Sequence, residues 1–236
     1  MSLHGLPEHH RRLLGDALAA GRPYGLALMG GYAVQAHGIV HRPSQDLDFA
    51  TEHPAGMTEI IEQIVDSLTG KGWRITMIDV APLKARFLAT DPATEATCEV
   101  DLLKEVLWRP PVVMDIGPVL DLDDLIGTKV RALGDRGLAR DAIDVHAARH
   151  LYTLPELEAL AARRPEEFDL TELHDRLESL EWISDAEFEA YGMHGHPPHH
   201  PTAPVGPTLC LTPLPISGRC PRDHPLPPRR TAPTRP

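Results

Sequence analysis

The chain has 236 residues, enough for one globular domain with an appendage, and 42% of them are hydrophobic, enough for an ordinary packed core. A formal net charge of −11 excludes a protein that coats nucleic acid by charge alone, although a local basic groove needs only a few well-placed cations. Three cysteines without a CxxC spacing, Cys98, Cys210 and Cys220, give neither a disulfide framework nor a zinc site.

Residues 7–20 place Leu13, Leu14, Ala17 and Leu18 on one helical stripe. Residues 24–29 form a short apolar run that predicts a buried strand, and Gly30-Gly31 opens a helix to about His37. Residues 46–51 predict a strand in which Asp46 and Asp48 alternate with Leu47 and Phe49. An amphipathic helix over 58–69, closed by Gly70, precedes strand-like runs at 74–80, 84–90 and 96–103. Beyond Pro110-Pro111 the pattern turns helical. Asp121 or Asp123 caps a helix that runs to about Leu133 and is stopped by Gly134. A second helix spans 138–150, Pro155 sits in the first turn of a third that ends near Arg163, and 169–181 make a fourth.

Strands early and helices late predict an α+β fold with a mixed sheet, divided into a core over 1–120 and a helical C-terminal part over 121–193. Residues 194–236 differ: they hold 13 prolines and one acidic residue, Asp223, with no helical period, alternation or buried run. Such a segment cannot offset the entropy of ordering, so a disordered Pro/Arg/His-rich tail is expected. Its histidines, beginning at His194 and His196, lack the carboxylate or thiolate partners that a metal site needs. No run of about 18 apolar residues reads as a membrane span, and the first residues lack the pattern of a secretory signal, so a cytoplasmic protein is expected.

The chemistry lies in the carboxylates. On a strand, Asp46 and Asp48 point to one face with Cα atoms about 6.5–7 Å apart. Two like charges so placed need a cation or a proton to relieve them, and a pair of Mg²⁺ ions about 3.5–4 Å apart does so while activating phosphoryl chemistry. A further carboxylate comes from the run Cys98-Glu99-Val100-Asp101-Leu102, where Glu99 and Asp101 share a face; Asp101 is preferred and Glu99 stays open. Ahead of the pair, an apolar strand ends in Gly30-Gly31, where bare backbone can approach a phosphate. The glycines fit neither GxGxxG nor a Walker loop, since no Lys-Ser/Thr follows them.

Met29-Gly30-Gly31-Tyr32-Ala33-Val34, then His37-Gly38, then Arg42-Pro43-Ser44-Gln45-Asp46-Leu47-Asp48 resembles the first motif of the polymerase-β-like nucleotidyltransferase superfamily. Within it, the resemblance is to the AbiEii/AbiGii toxin family, the nucleotidyltransferase toxins of bacterial abortive-infection and toxin–antitoxin pairs. The run from Asp124 to Leu133 is similar to that family's helix with an essential lysine, and Arg140-Asp141-Ala142-Ile143-Asp144 to its arginine–aspartate–x–x–aspartate motif. The likeness covers about residues 24–150. It implies that Gly30 and Gly31 hold the triphosphate, that Asp46, Asp48 and Asp101 bind Mg²⁺, and that Lys129, with Arg42 and Ser44, meets the nucleotide phosphates. Asp144, or Asp141, would be the late acidic residue aiding deprotonation of the acceptor. One departure stands out: the superfamily's usual Gly-Ser is Gly-Gly here, so a hydroxyl that could meet a phosphate is missing.

The resemblance implies transfer of NMP from an NTP to an acceptor hydroxyl in RNA, such as a tRNA end, and a cognate antitoxin. The alternatives are adenylylation of a small cationic acceptor of the aminoglycoside type, which an acidic surface suits, and a non-catalytic nucleotide-binding module.

Overall fold

The computed structural model describes residues 6–192 other than Pro165 and Glu167. Helix α1 (Glu8–Ala20) buries His10, Leu13, Leu14, Ala17 and Leu18, the stripe that its period predicts. A 3₁₀ turn over Arg22–Tyr24 ends at Gly25 in the left-handed region, so β1 (Ala27–Met29) starts later than the apolar run suggests. Then come α2 (Gly30–Ala36), β2 (Asp46–Thr51), α3 (Met57–Gly70), β3 (Arg74–Ala81), β4 (Lys84–Asp91) and β5 (Ala96–Lys104). Two three-residue strands follow, β6 (Val112–Met114) and β7 (Gly117–Val119), and then α4 (Leu122–Arg136), α5 (Ala139–Ala148), α6 (Leu154–Ala161), α7 (Leu170–Ser179) and α8 (Asp185–Glu189).

The strands form one mixed sheet in the order β3-β4-β5-β2-β1-β7-β6. Strand β2 runs parallel to β5 and β1 parallel to β7, and the other neighbours are antiparallel. Helix α3 closes against α1 and β3, burying Met57, Ile60, Ile61, Ile64 and Leu68 along one face. Strands β1, β2 and β5 lie inside the sheet, and their side chains Leu28, Leu47, Phe49, Val100 and Leu102 fill the main hydrophobic cluster. Helix α4 joins that cluster to a second one. Leu125 belongs to the first, while Ile126, Val130 and Leu133 pack with Leu157, Leu160 and Leu173 of α6 and α7. Both clusters lie in one compact unit, Met1–Pro198, which contains the whole of the 1–120 and 121–193 segments. The tail expected to be disordered lies outside the described residues.

Two differences from the sequence reading have physical causes, and one choice left open is settled. Gly134 does not stop α4, which continues to Arg136 and ends at Gly137 with φ of 60°. A glycine inside a helix costs about 1 kcal/mol against alanine. Here it lets α7 come close, since a Cβ on Gly134 would sit 3.6 Å from the Leu173 Cα. Strands β6 and β7 are too short to show alternation, and α8 has no buried side chain to mark it. Asp121 rather than Asp123 caps α4, its side chain accepting from the Asp123 amide. Among the described residues no helix is long and apolar enough to cross a membrane.

Candidate active site

Strand β2 carries Asp46 and Asp48 on one face, and its opposite face buries Leu47 and Phe49. The parallel strand β5 lies beside it in a register that pairs Asp46 with Glu99 and Asp48 with Asp101. Four carboxylates therefore share one face of the sheet. On the other side of β2, Met29 pairs with Asp48, which brings the turn into α2 against the same carboxylate.

That turn explains the glycine pair. Gly30 has φ of 67°, and a Cβ there would lie 1.7 Å from Asp48 Oδ2. A Cβ on Gly31 would lie 2.5 Å from Ser44 Oγ. Gly30→Ala is therefore expected to displace Asp48 and to cost about 1–3 kcal/mol through backbone strain and collision together. Urea unfolding checks this, and a variant as stable as the parent would show that the contact is not rigid.

Crowding of charge shows in Asp48, whose carboxyl is pushed up to about 6 by burial first and by Asp46 next, with Lys129 opposing. Asp46 has two polar neighbours: Ser44 Oγ donates to its Oδ1 at 3.2 Å, and Arg140 Nη1 reaches Oδ2 at 3.5 Å. Asp101 is gripped by Arg86 of β4 through two hydrogen bonds of 2.6 Å each, and the same guanidinium meets Glu99 at 3.0 Å. With Asp101 so held, the described residues contain no group of three or more His, Cys, Asp or Glu already gathered at metal-ligand spacing. The donors are nevertheless all oxygen, the set that a hard cation such as Mg²⁺ takes, and one or two carboxylates plus substrate phosphates suffice for it. Asp46 and Asp48 fit that requirement, and a cation would relieve both causes of the raised Asp48, its burial first and then its repulsion by Asp46.

The late motifs meet in the interior. Asp144 on α5 is fully buried and binds Arg42 through Nε at 2.7 Å and Nη2 at 2.6 Å, and Lys129 Nζ at 2.9 Å. Arg42 and Lys129 are themselves buried, at 3% and 6% exposure. Arg42 was expected at the phosphates and is instead committed to Asp144. Asp144 was expected as the acid near the acceptor and instead has both oxygens occupied. Its place is that of a counter-ion beneath the site, and the cluster retains one more positive than negative charge. Asp141, the alternative, turns to Arg136 with bonds of 2.7 and 2.9 Å.

Three contributors were missed from sequence. Arg86 becomes visible only with the register that sets it across from Asp101. Arg140 lies within a quoted motif but passes for a solvated neighbour, whereas it is only part-exposed, reaches Asp46, and leaves its buried Nε without a partner. The third is a chain of hydrogen bonds: the Tyr32 hydroxyl donates to the Ser44 carbonyl at 2.8 Å and lies 2.7 Å from His10 Nδ1, which donates to it. Burial first, and His9 next, lowers His10 to about 4, so it stays neutral. Cys98, pushed up to about 12 chiefly by burial, is an inert core thiol.

A family model described as the nucleotidyl transferase AbiEii toxin of type IV toxin–antitoxin systems matches residues 12–201. Among solved structures, JHP933 from Helicobacter pylori aligns with a TM-score of 0.50 at 18% identity, over 79% of this chain and 89% of that one. A second Helicobacter pylori structure aligns with a TM-score of 0.50 at 17% identity, over 77% and 88% of the two chains. MenT4, a nucleotidyltransferase toxin from Mycobacterium tuberculosis, aligns with a TM-score of 0.48 at 15% identity, over 75% and 84%. At these identities the likeness concerns the fold. No curated protein matches the sequence.

Proposed function

Because this chain belongs to the nucleotidyl transferase AbiEii toxin family of type IV toxin–antitoxin systems, we propose that it transfers a nucleoside monophosphate from an NTP to an acceptor hydroxyl in RNA, such as a tRNA end. The observation that carries the reading is the single carboxylate face formed by Asp46 and Asp48 in register with Glu99 and Asp101, closed on one side by Gly30. In the reaction the acceptor oxygen bonds to the α-phosphorus, the bond to the bridging oxygen breaks, and pyrophosphate leaves as the acceptor gives up its proton. Asp46 and Asp48 would hold Mg²⁺, with Asp101 added once Arg86 lets it go. When bound, the metal supplies a lowered acceptor pKa and charge stabilisation on the attacking and leaving oxygens.

The protein's own groups do the rest. Gly30 keeps bulk away from Asp48, so substrate oxygens can approach the carboxylate edge. Arg140 stands beside Asp46 with an unused buried Nε, a cation within reach of an incoming phosphate. Lys129, paired below with Asp144 and Arg42, and Arg140 beside Asp46 offset the charge on Asp48. A cognate antitoxin follows from the family and is expected for this chain.

Incubation with each radiolabelled NTP, Mg²⁺ and either total RNA or aminoglycosides tests the proposal. Label is expected in RNA, and Asp46→Asn and Asp48→Asn are each expected to reduce it by about 100-fold or more, the scale of losing a group that stabilises the transition state. Undiminished labelling by both variants sinks the assignment, and label in aminoglycosides alone replaces RNA with a small cationic acceptor.

A further inference from the structure

One guanidinium serves two of the four carboxylates on the sheet face. Strand β4 runs antiparallel to β5 in a register that sets Arg86 across from Asp101 and Leu88 across from Glu99. Arg86 therefore stands on the carboxylate face, while the residue across from Glu99 is apolar. Lys84, the next residue of β4 on that face, is paired with Asp79 of β3 at 3.1 Å. The nitrogens of Arg86 are divided between its partners. Nε and Nη2 donate to the two oxygens of Asp101 at 2.6 Å each, and Nη1 meets Glu99 Oε1 at 3.0 Å. The hydrogen bonds to Asp101 first, then the charges of Asp101, Glu99 and Asp48, raise the Arg86 pKa against the opposing effect of burial. The arrangement is saturated but not locked. Both oxygens of Asp101 are taken, so a cation cannot bind them while the guanidinium stays. Yet Arg86 and Glu99 are 46% and 38% exposed, and pairs this open are weakened by screening and by the entropy of holding a long side chain. Asp101 is the more enclosed partner and lies across from Asp48 in the β2–β5 pairing. A turn of Arg86 about its existing contact with Glu99 would release Asp101 without leaving the guanidinium unpaired.

We propose that Arg86 is a positioning residue that guards Asp101: it holds this carboxylate until a divalent cation takes it, and it then passes to Glu99, which serves as its receiver and not as a metal ligand. This rests on the nucleotidyl-transfer reading above. It gives the two β5 carboxylates different tasks. Asp101 is exchanged between guanidinium and metal. Glu99 neutralises the displaced guanidinium, which would otherwise stand uncompensated beside the metal and repel it.

Mg²⁺ binding to the full chain, measured calorimetrically with no nucleotide present, tests the handover. Arg86→Gln is expected to tighten binding by about fivefold, the scale of one half-exposed ion pair that the metal no longer has to break. A guanidinium that merely props Asp101 in place predicts the opposite sign, so weaker or unchanged binding overturns the proposal. Arg86→Lys keeps the charge but not the two-pronged hold on a carboxylate, so it should also bind more tightly than the parent. Parent-like binding in the Lys variant would assign the effect to charge alone and overturns the proposal too. Glu99→Gln is expected to weaken binding by about fivefold in the parent but by less than about twofold in the Arg86→Gln background, on the same scale. Equal weakening in both backgrounds makes Glu99 a ligand or a plain source of negative charge, and the receiver role fails. The Lys variant, which keeps the ion pair with Glu99, carries the test even if Arg86→Gln does not fold. If the unaltered protein binds no Mg²⁺, either alone or with inorganic tripolyphosphate, the reading beneath the proposal fails as well.

Discussion

Asp48→Asn is expected to make the metal-free protein more stable at neutral pH while removing nucleotide transfer. Asp48 carries a carboxyl raised from 3.8 to about 6, by burial first and then by Asp46. A raised carboxyl means that the folded state holds the proton more tightly than the unfolded chain does. The contribution of Asp48 to stability is therefore most favourable at acid pH, falls as pH rises from about 4 to about 6, and stays low above that. After discounting for the part of the side chain that meets solvent, the ionised form costs about 1–2 kcal/mol at pH 7.5. Asparagine has the same shape and no charge to bury. The Asn variant should thus melt about 2–6 °C higher than the parent at pH 7.5, with the gap closing towards pH 4. Mg²⁺ should raise the melting temperature of the parent and do much less for the variant. Equal melting temperatures at pH 7.5, with equal pH dependence below it, would show that Asp48 is not under electrostatic strain. Stability lost to a functional charge is the usual trade in an active site.

How much of this was legible in the sequence differs by feature. The period of two fixed the shared face of Asp46 and Asp48, and the apolar neighbours Leu47 and Phe49 fixed which face is buried. The glycine pair was legible as a place needing bare backbone; the structure adds the reason, the Asp48 oxygen that a Cβ would strike. Asp101 was favoured over Glu99, and the parallel pairing of β2 with β5 sets Asp101 across from Asp48, although both residues share Arg86. What could not be read is pairing across long separations. Arg86 acts through the β4–β5 register, and one slip of a residue would turn it to the other face of the sheet. Arg42 meets Asp144 across 102 positions, so nothing local marks it as a buried ion-pair partner rather than a phosphate ligand.

Asp144→Ala is expected to be among the most destabilising single changes in the chain. Asp144 is fully buried and accepts from two cations, Arg42 and Lys129, that are nearly as buried. Deleting it strands two like charges in the interior. Breaking a buried pair in this way costs about 3–5 kcal/mol, because the remaining charge keeps its desolvation penalty and loses its partner. Asp144→Asn keeps the volume but not the charge and should fall between. The cost is one of unbalanced charge, so removing a cation as well should lower it. Arg42→Met in the Asp144→Ala background is expected to be more stable than Asp144→Ala alone, a coupling that a double-mutant cycle in urea measures directly. A cavity left by lost packing would predict the opposite, since a second truncation would add to the first.

The same cycle separates two roles for Asp144 in the reaction. As a counter-ion it acts through Arg42, which anchors the segment before Asp46, so transfer should be lost in step with stability and partly regained when the charge is rebalanced. If Asp144→Ala unfolds within about 1 kcal/mol of the parent and yet transfers nothing, the carboxylate acts on the acceptor itself. The ion-pair geometry favours the first outcome, because a carboxylate with both oxygens occupied and no exposed surface has no free edge to offer an incoming hydroxyl.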